Sequence, residues 1–128
     1  MPEVLIASVI LTVGLVGMAG LLAVTLRLHE LARDSTEATR LAQAKLEDLM
    51  KADFGTVPSI QLTLANSLDS NVANYFDQPV AGYTRRWQVD PGPGADPRLR
   101  TVTVRVVSSP AGRAVAPEAR LVTILRSW

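Results

Sequence analysis

Few side chains in this 128-residue chain have the chemistry of a catalytic or metal-binding site. There is no cysteine, which excludes thiol chemistry, and one histidine, His29, cannot form a zinc site of the usual kind by itself. No serine has a histidine nearby in sequence, and the turn Gly92-Pro93-Gly94 lacks the lysine and the following helix of a phosphate-binding loop. We therefore expect a protein that is not an enzyme and that uses no metal and no cofactor.

The carboxylate of Glu3 is the charge that adjoins a long apolar run. Val4 to Leu26 form 23 residues without a charge, and 17 of them are apolar. A carboxylate at this edge either lies among lipid headgroups or enters the apolar phase with a cationic partner, since a lone charge in hydrocarbon is costly. Glu3 is thus a candidate interaction residue.

The apolar run is long enough to cross a membrane. At about 1.5 Å per residue it reaches roughly 34 Å, which spans a bilayer core. The chain lacks a basic start, and the run exceeds the roughly 7–15 residues of a signal-peptide core, so we predict a retained membrane helix. Arg27, Arg33 and Arg40 follow the run, and the positive-inside rule taken alone would place the following domain in the cytoplasm.

Three glycines recur at steps of three within this run, at Gly14, Gly17 and Gly20. They allow either close helix–helix approach or local unwinding of the helix. The alternative is that glycine is simply common in membrane helices.

Basic side chains are the other group with a chemical interpretation. Residues 54–128 carry eight arginines against five acids. Five of the arginines could form a basic patch: Arg85, Arg86, Arg98, Arg100 and Arg105. The patch is either a solvated sheet face or a surface that captures DNA through salt-sensitive phosphate contacts. Because the net charge is only +1, we favour the solvated face and do not expect a nucleic-acid partner.

One helix must carry Glu3, the apolar run and the three glycines. No proline occurs between Pro2 and Pro58, and the pattern changes after Leu26 from uniformly apolar to amphipathic. The apolar stripe comprises Leu28, Leu31, Ala38, Ala42, Leu46 and Leu49. We predict a continuous helix from about Glu3 to Asp53, roughly 76 Å long. Residues 1–26 would be its membrane segment and 27–128 the soluble domain.

The remaining residues predict a small antiparallel sheet. Residues 83–89 alternate with Tyr83, Trp87 and Val89 on one face, and residues 101–106 alternate with three valines on one face. Residues 120–128 are apolar and β-prone, and proline- and glycine-rich turns separate the three segments. We expect an antiparallel meander in 83–128 after an irregular crossover over 54–82, with a short strand considered at residues 60–64. The fold class is α+β.

Three short segments of the helix resemble a known family. Residues 3–7, 13–21 and 41–49 are similar to the N-terminal helix of mature type IV pilin-like proteins. The glycine pattern looks most like the PilV group of minor pilins, and the GspI minor pseudopilins of type II secretion have a similar layout. The resemblance covers the whole chain and is specific only in residues 3–21 and 41–49.

The resemblance implies a structural subunit of an envelope-spanning filament. The N-terminal helix would lie in the inner membrane before assembly and in the filament core afterwards, and the head would be periplasmic or extracellular. The family's glutamate maps onto Glu3, where it would pair with the methylated terminal amine of a neighbouring subunit. The partners would be other pilin or pseudopilin subunits, the inner membrane and, if a leader exists, prepilin peptidase. A single-pass anchored periplasmic binding module that does not polymerise is the alternative.

The start of the chain departs from the family pattern. Met1-Pro2 stands where a prepilin has a basic leader that ends in glycine. Either the recorded start omits the leader, or the chain has been trimmed, or the protein escapes the peptidase; we favour an omitted leader. Its basic residues would hold the N-terminus in the cytoplasm and so remove the conflict over orientation.

Overall fold

The computed structural model describes residues 1–62, 68–109 and 116–127. A long helix, α1 (Pro2–Met50), precedes four strands: β1 (Phe76–Asp77), β2 (Tyr83–Pro91), β3 (Leu99–Ser108) and β4 (Glu118–Arg126). The strands form one antiparallel sheet in the order β1-β2-β3-β4. The predicted α+β class, with a long N-terminal helix packed on a small antiparallel sheet, is confirmed.

The chain divides into two compact units, Met1–Arg33 and Asp34–Trp128. The first unit is helical from Pro2 onward. The second unit contains the rest of α1 and the whole sheet. The helix ends at Met50, within a turn of the predicted end, where the Asp53 carboxylate accepts the backbone N–H of Gly55 at 3.1 Å.

The core of the second unit forms between the helix and one face of the sheet. Ala38, Leu41, Ala42, Leu46 and Leu49 are the buried residues of α1. They belong to one apolar cluster with the inward side chains of the central strands: Trp87, Val89, Val102, Val104 and Val106. Four members of the predicted stripe are therefore buried, whereas Leu28 and Leu31, which lie in the first unit, are exposed. Leu41, which the stripe omitted, is buried.

The strand register explains why this face is apolar. Trp87 is opposite Val104 and Val89 is opposite Val102, so large side chains from adjacent strands meet on the same side of the sheet. Val102, Val104 and Val106 of β3 are fully buried, as their alternation predicted. β4 continues the meander, and its residues 119, 121, 123 and 125 share the inward face.

The crossover between helix and sheet carries structure that sequence patterns did not predict. Pro58–Ile60 form a short 3₁₀ turn with Ile60 fully buried, so the strand considered at residues 60–64 does not begin there. Residues 63–64 of that segment lie outside the described residues. The two-residue strand β1 was also not predicted, and it pairs with β2 through Phe76 opposite Arg86 and Asp77 opposite Arg85.

Glycine is required at one point of the β2–β3 connection. A side chain at Gly92 would collide with the backbone and Cβ of Leu99, whose carbonyl accepts the Gly92 N–H at 3.0 Å. This close approach sets the start of the turn between β2 and β3.

Candidate assembly surfaces

The first unit presents an apolar surface from Val4 to Leu26. Fourteen large apolar side chains between Val4 and Leu26 are exposed, each by more than half of its surface. By length and composition this helix is long and apolar enough to cross a membrane. It is the described part of the chain that most needs a surrounding apolar phase.

The polar side chains of the run satisfy their hydrogen bonds locally. The hydroxyls of Ser8, Thr12 and Thr25 donate to helix carbonyls three or four residues earlier, at 2.8, 2.7 and 2.9 Å. In hydrocarbon, an unsatisfied polar group costs several kcal/mol, so such internal bonds suit a lipid environment. None of these three side chains requires water.

Glu3 lies in the first turn of α1 and is exposed. A negative charge is favourable there because the first backbone N–H groups of a helix carry partial positive charge. Among the described residues, no hydrogen bond or ion pair involves the Glu3 carboxylate. Its capacity to accept hydrogen bonds is therefore open to another molecule.

The three glycines of the run meet no other part of the chain. A Cβ added at Gly14, Gly17 or Gly20 has no atom within 4 Å once its neighbours and its own helix turn are excluded. Nothing within the described chain therefore requires glycine at these positions. Any specific role for them therefore rests on helix flexibility or on contact with another molecule; the alternative that glycine is simply common in membrane helices stays open.

The five arginines of the predicted patch do not share one face of the sheet. Arg85 lies on the inward face and is buried, with its guanidinium in a bidentate pair with Asp77 at 2.7 Å for both bonds. It also donates to the Leu41 carbonyl of α1 at 3.1 Å. Lys45 approaches the same Asp77 at 3.7 Å and stands over the Trp87 ring, 3.9 Å from its centroid. Arg85 thus ties β2 to β1 and to the helix.

Arg86 and Arg105 are directly opposite each other on the outward face, and both have partners. Arg86 donates to the Asn71 side chain at 2.8 Å. Arg105 bonds Asp69 at 2.6 Å and Glu118 at 2.9 Å. The pKa of Arg105 is raised, chiefly by its hydrogen bond with Glu118 and further by the negative charges of Glu118 and Asp69. Burial acts in the opposite direction and is outweighed. The two carboxylates neutralise the charge of Arg105, whereas Asn71 is uncharged and holds Arg86 without neutralising it.

The other two arginines lie towards the β2–β3 turn. Arg100 donates to the Ile60 carbonyl, and its guanidinium stands over the Phe54 ring, 4.5 Å from the centroid. Arg98 is exposed, with its side chain outside the sheet. Sequence reasoning omitted Arg120, which is opposite Arg105 on β4 and lines a polar depression of about 350 Å³ with Gln88, Asp69 and Glu118. Its alternation with the inward Ala119 and Leu121 would have placed it on this face.

Among the described residues, no group of three or more His, Cys, Asp or Glu side chains lies close enough together to hold a metal ion. His29 lies on the helix and is exposed. Compared with family models, curated proteins and solved structures, the chain matches none of them. The functional argument therefore depends on the residues and their geometry.

Proposed function

We propose that this chain is a structural minor pilin or pseudopilin subunit of a type IV pilus or type II secretion-like filament. It would be held in the inner membrane by the first part of α1, with the 34–128 unit in the periplasm, and would pass to the filament or cell surface on assembly. The observation that supports this most is the contrast along α1. Its residues from Val4 to Leu26 are apolar and exposed, whereas the apolar stripe of its later part, from Ala38 to Leu49, is buried by the sheet.

The exposed run is energetically incompatible with water. Each large apolar side chain gains about 1.5–3 kcal/mol when fully buried, so fourteen of them represent on the order of 20–40 kcal/mol. This exceeds the roughly 5–15 kcal/mol that usually stabilises a whole domain. A lipid bilayer and a bundle of like helices both satisfy the requirement, as expected of a subunit that moves from membrane to filament.

Glu3 supplies the proposed assembly contact. It is exposed at the start of the apolar run, with no cation paired to it among the described residues. Once the first turn enters an apolar phase, an ammonium group from a neighbouring subunit would offset the cost of the carboxylate. The methylated terminal amine implied by the family resemblance has this chemistry.

A single-pass anchored periplasmic module that never polymerises is the second candidate. The same exposed, membrane-length helix supports it, since an anchor needs only length and apolar composition. DNA capture is not proposed, because four of the five arginines once considered for it bond other parts of the chain.

Substitution of Glu3 separates the two candidates. In cells that carry the filament genes, we expect Glu3→Ala to insert into the membrane at the parental level and to enter sheared filaments poorly. Glu47→Ala is the matched control, because Glu47 is an exposed acid of the same helix in the second unit. Normal filament incorporation of Glu3→Ala would refute the role of the carboxylate. Absence of the unsubstituted protein from filaments would favour the non-polymerising anchor.

Processing offers an independent test. The proposal expects the mature protein to begin close to Glu3 with a methylated amine, which mass spectrometry of protein purified from membranes can detect. An unprocessed and unmethylated terminus in cells with active prepilin peptidase would contradict it.

A further inference from the structure

Strand β4 is an edge strand, and the bonds at its two ends show which of its backbone groups are unpaired. Among the described residues it pairs only with β3, in an unbroken register. Just beyond one end of this ladder, the Ser127 N–H donates to the Arg98 carbonyl at 2.9 Å. Just beyond the other end, the Ser108 N–H donates to the Pro117 carbonyl at 3.0 Å. Bonded pairs recur at every second residue of an antiparallel ladder, so the odd-numbered residues of β4 bond β3. The even-numbered residues therefore direct their N–H and C=O groups to the open edge.

The centre of this edge is apolar and lacks the usual protection. Edge strands are commonly blocked by charges, prolines or bulges, and residues 121–125 of β4 contain none of these. The outward side chains of Val122 and Ile124 are 60% and 55% exposed. On the inward face, Leu121 is only partly buried against the core. A strand added at this edge would therefore cover apolar side chains on both faces of the sheet.

Two arginines flank the apolar centre. Arg120 and Arg126 are exposed, even-numbered residues of β4, about 20 Å apart along the strand. Within the part of the chain that the structure describes, neither guanidinium has a hydrogen bond or an ion pair. The acid of this strand, Glu118, is already bonded by Arg105 at 2.9 Å. The unpaired charge on the described edge is therefore positive, and it lies on both sides of the apolar centre.

We propose that β4 binds an extended acidic segment of another protein as a fifth strand, antiparallel to β4. The segment has apolar side chains at its centre and a carboxylate towards each end, opposite Arg120 and Arg126. Backbone hydrogen bonds to the edge provide affinity, and the flanking carboxylates provide specificity. Antiparallel pairing continues the pattern of the other strands and is slightly more stable than parallel pairing. This surface does not involve the apolar run of α1, so the inference goes beyond the filament proposal and is compatible with either candidate function.

The two arginines also fix the register of the added strand. Only shifts of two residues keep inward side chains inward. A shift of two residues towards the start of β4 would place a carboxylate opposite Glu118 and leave Arg126 without one. In the register that serves both arginines, the partner residue opposite Val122 exchanges N–H···O bonds with it in both directions. The partner residue opposite Thr123 directs its N–H away from β4.

A synthetic peptide tests this register. The sequence Glu-Thr-Ile-Thr-Val-Val-Glu, with a fluorophore on its N-terminus and a C-terminal amide, places its glutamates opposite Arg126 and Arg120 and its fifth residue opposite Val122. Fluorescence anisotropy measures its binding to the full-length protein in detergent micelles, and we expect saturable binding. N-methylation of the fifth residue removes a bonded N–H and should weaken binding by about 5-fold or more. N-methylation of the fourth residue, opposite Thr123, is the matched control and should change affinity by less than about 2-fold.

The charge requirement is tested separately. Lysine in place of both glutamates should weaken peptide binding by roughly 2- to 30-fold, the effect of losing two surface ion pairs. Arg120→Gln should weaken binding of the glutamate peptide, whereas Arg33→Gln, the same change outside the sheet, should not. Equal affinities for the acidic and basic peptides would contradict an acidic partner. Equal weakening by the two N-methylations, or no saturable binding of the unmethylated peptide, would overturn the strand pairing.

Hydrogen exchange followed by NMR locates the bound peptide. In the protein alone, the N–H groups of Val122 and Ile124 should exchange faster than those of Leu121 and Thr123, and the peptide should slow the first pair. Slow exchange at Val122 before peptide is added would show that a second copy of the chain already covers the edge, and the inference would be wrong. None of these measurements depends on Glu3 or on filaments, so failure here is distinguishable from failure of the proposed function.

Discussion

Removing the Trp87 side chain should destabilise the head more than any exposed substitution. Trp87 is only 3% exposed, its Nε1–H donates to the Ser59 carbonyl at 2.8 Å, and Lys45 covers its ring. It therefore connects the crossover, the helix and the central strand β2. Truncation of a buried tryptophan to alanine costs about 3–5 kcal/mol.

The 34–128 unit should fold without the apolar first part of α1, so the loss of stability in Trp87→Ala can be measured in water. Every buried apolar residue of the described chain lies at Ala38 or later. A fragment from Leu28 onward retains all of them, so we expect one cooperative urea transition. A domain of this size has about 5–15 kcal/mol of stability, so Trp87→Ala should remain only marginally folded.

Trp87→Phe provides a graded measurement. It keeps an aromatic ring and loses the hydrogen bond to the part-buried Ser59 carbonyl, which should cost about 1–3 kcal/mol because that carbonyl loses its indole donor. Urea transitions followed by far-UV circular dichroism avoid the change in tryptophan signal. Val80→Ala, a substitution of an exposed loop residue, should shift the free energy of unfolding by less than about 0.5 kcal/mol. If Trp87→Ala shifts it no more than Val80→Ala does, the proposed core is wrong.

Three further predictions concern the Asp77–Arg85 ion pair, the three glycines of the apolar run, and pH. Asp77→Asn should lower the free energy of unfolding of the 34–128 unit by about 1.5–3 kcal/mol, and adding Arg85→Met should recover part of that loss in urea transitions, because it removes the buried Arg85 cation that has lost its counter-ion. In assembled filaments, hydrogen exchange should be fast across residues 14–20 with protected flanks if the glycines allow unwinding; uniform protection would leave close packing as their role. Burial and then the Asp34 charge raise the pKa of Tyr83, so its contribution to stability is complete below pH 10.0 and declines as pH rises through the higher folded value. The stability of Tyr83→Phe should fall less steeply above pH 10.0, and equal slopes would refute the assignment.

The sequence predicted the elements whose periodicity is strong. The helix followed from an absence of proline and an apolar stripe, and β2 and β3 followed from alternation about Trp87 and the three valines. β1 was missed because two residues cannot show a period, although its partners on β2 lie close along the chain. The 3₁₀ turn at Pro58–Ile60 was missed because the alternating apolar residues in 60–64 also fit the pattern of a short strand.

The arginines show why surface predictions are harder than core predictions. Arg85 has the same strand parity as Trp87 and Val89, so the alternation that located the core also located Arg85 inside it. An inward guanidinium needs a counter-ion, and its partner Asp77 lies in the crossover, where no pattern gives a position in space. Arg105 depends in the same way on Asp69, from the crossover, and on Glu118 of β4. The count of eight arginines against five acids therefore overstated the positive charge that the sheet presents, because a count does not show which charges the fold pairs. The same parity argument leaves Val122 and Ile124 outward on the open edge of β4, and an apolar pair in that place has no partner in the described sheet.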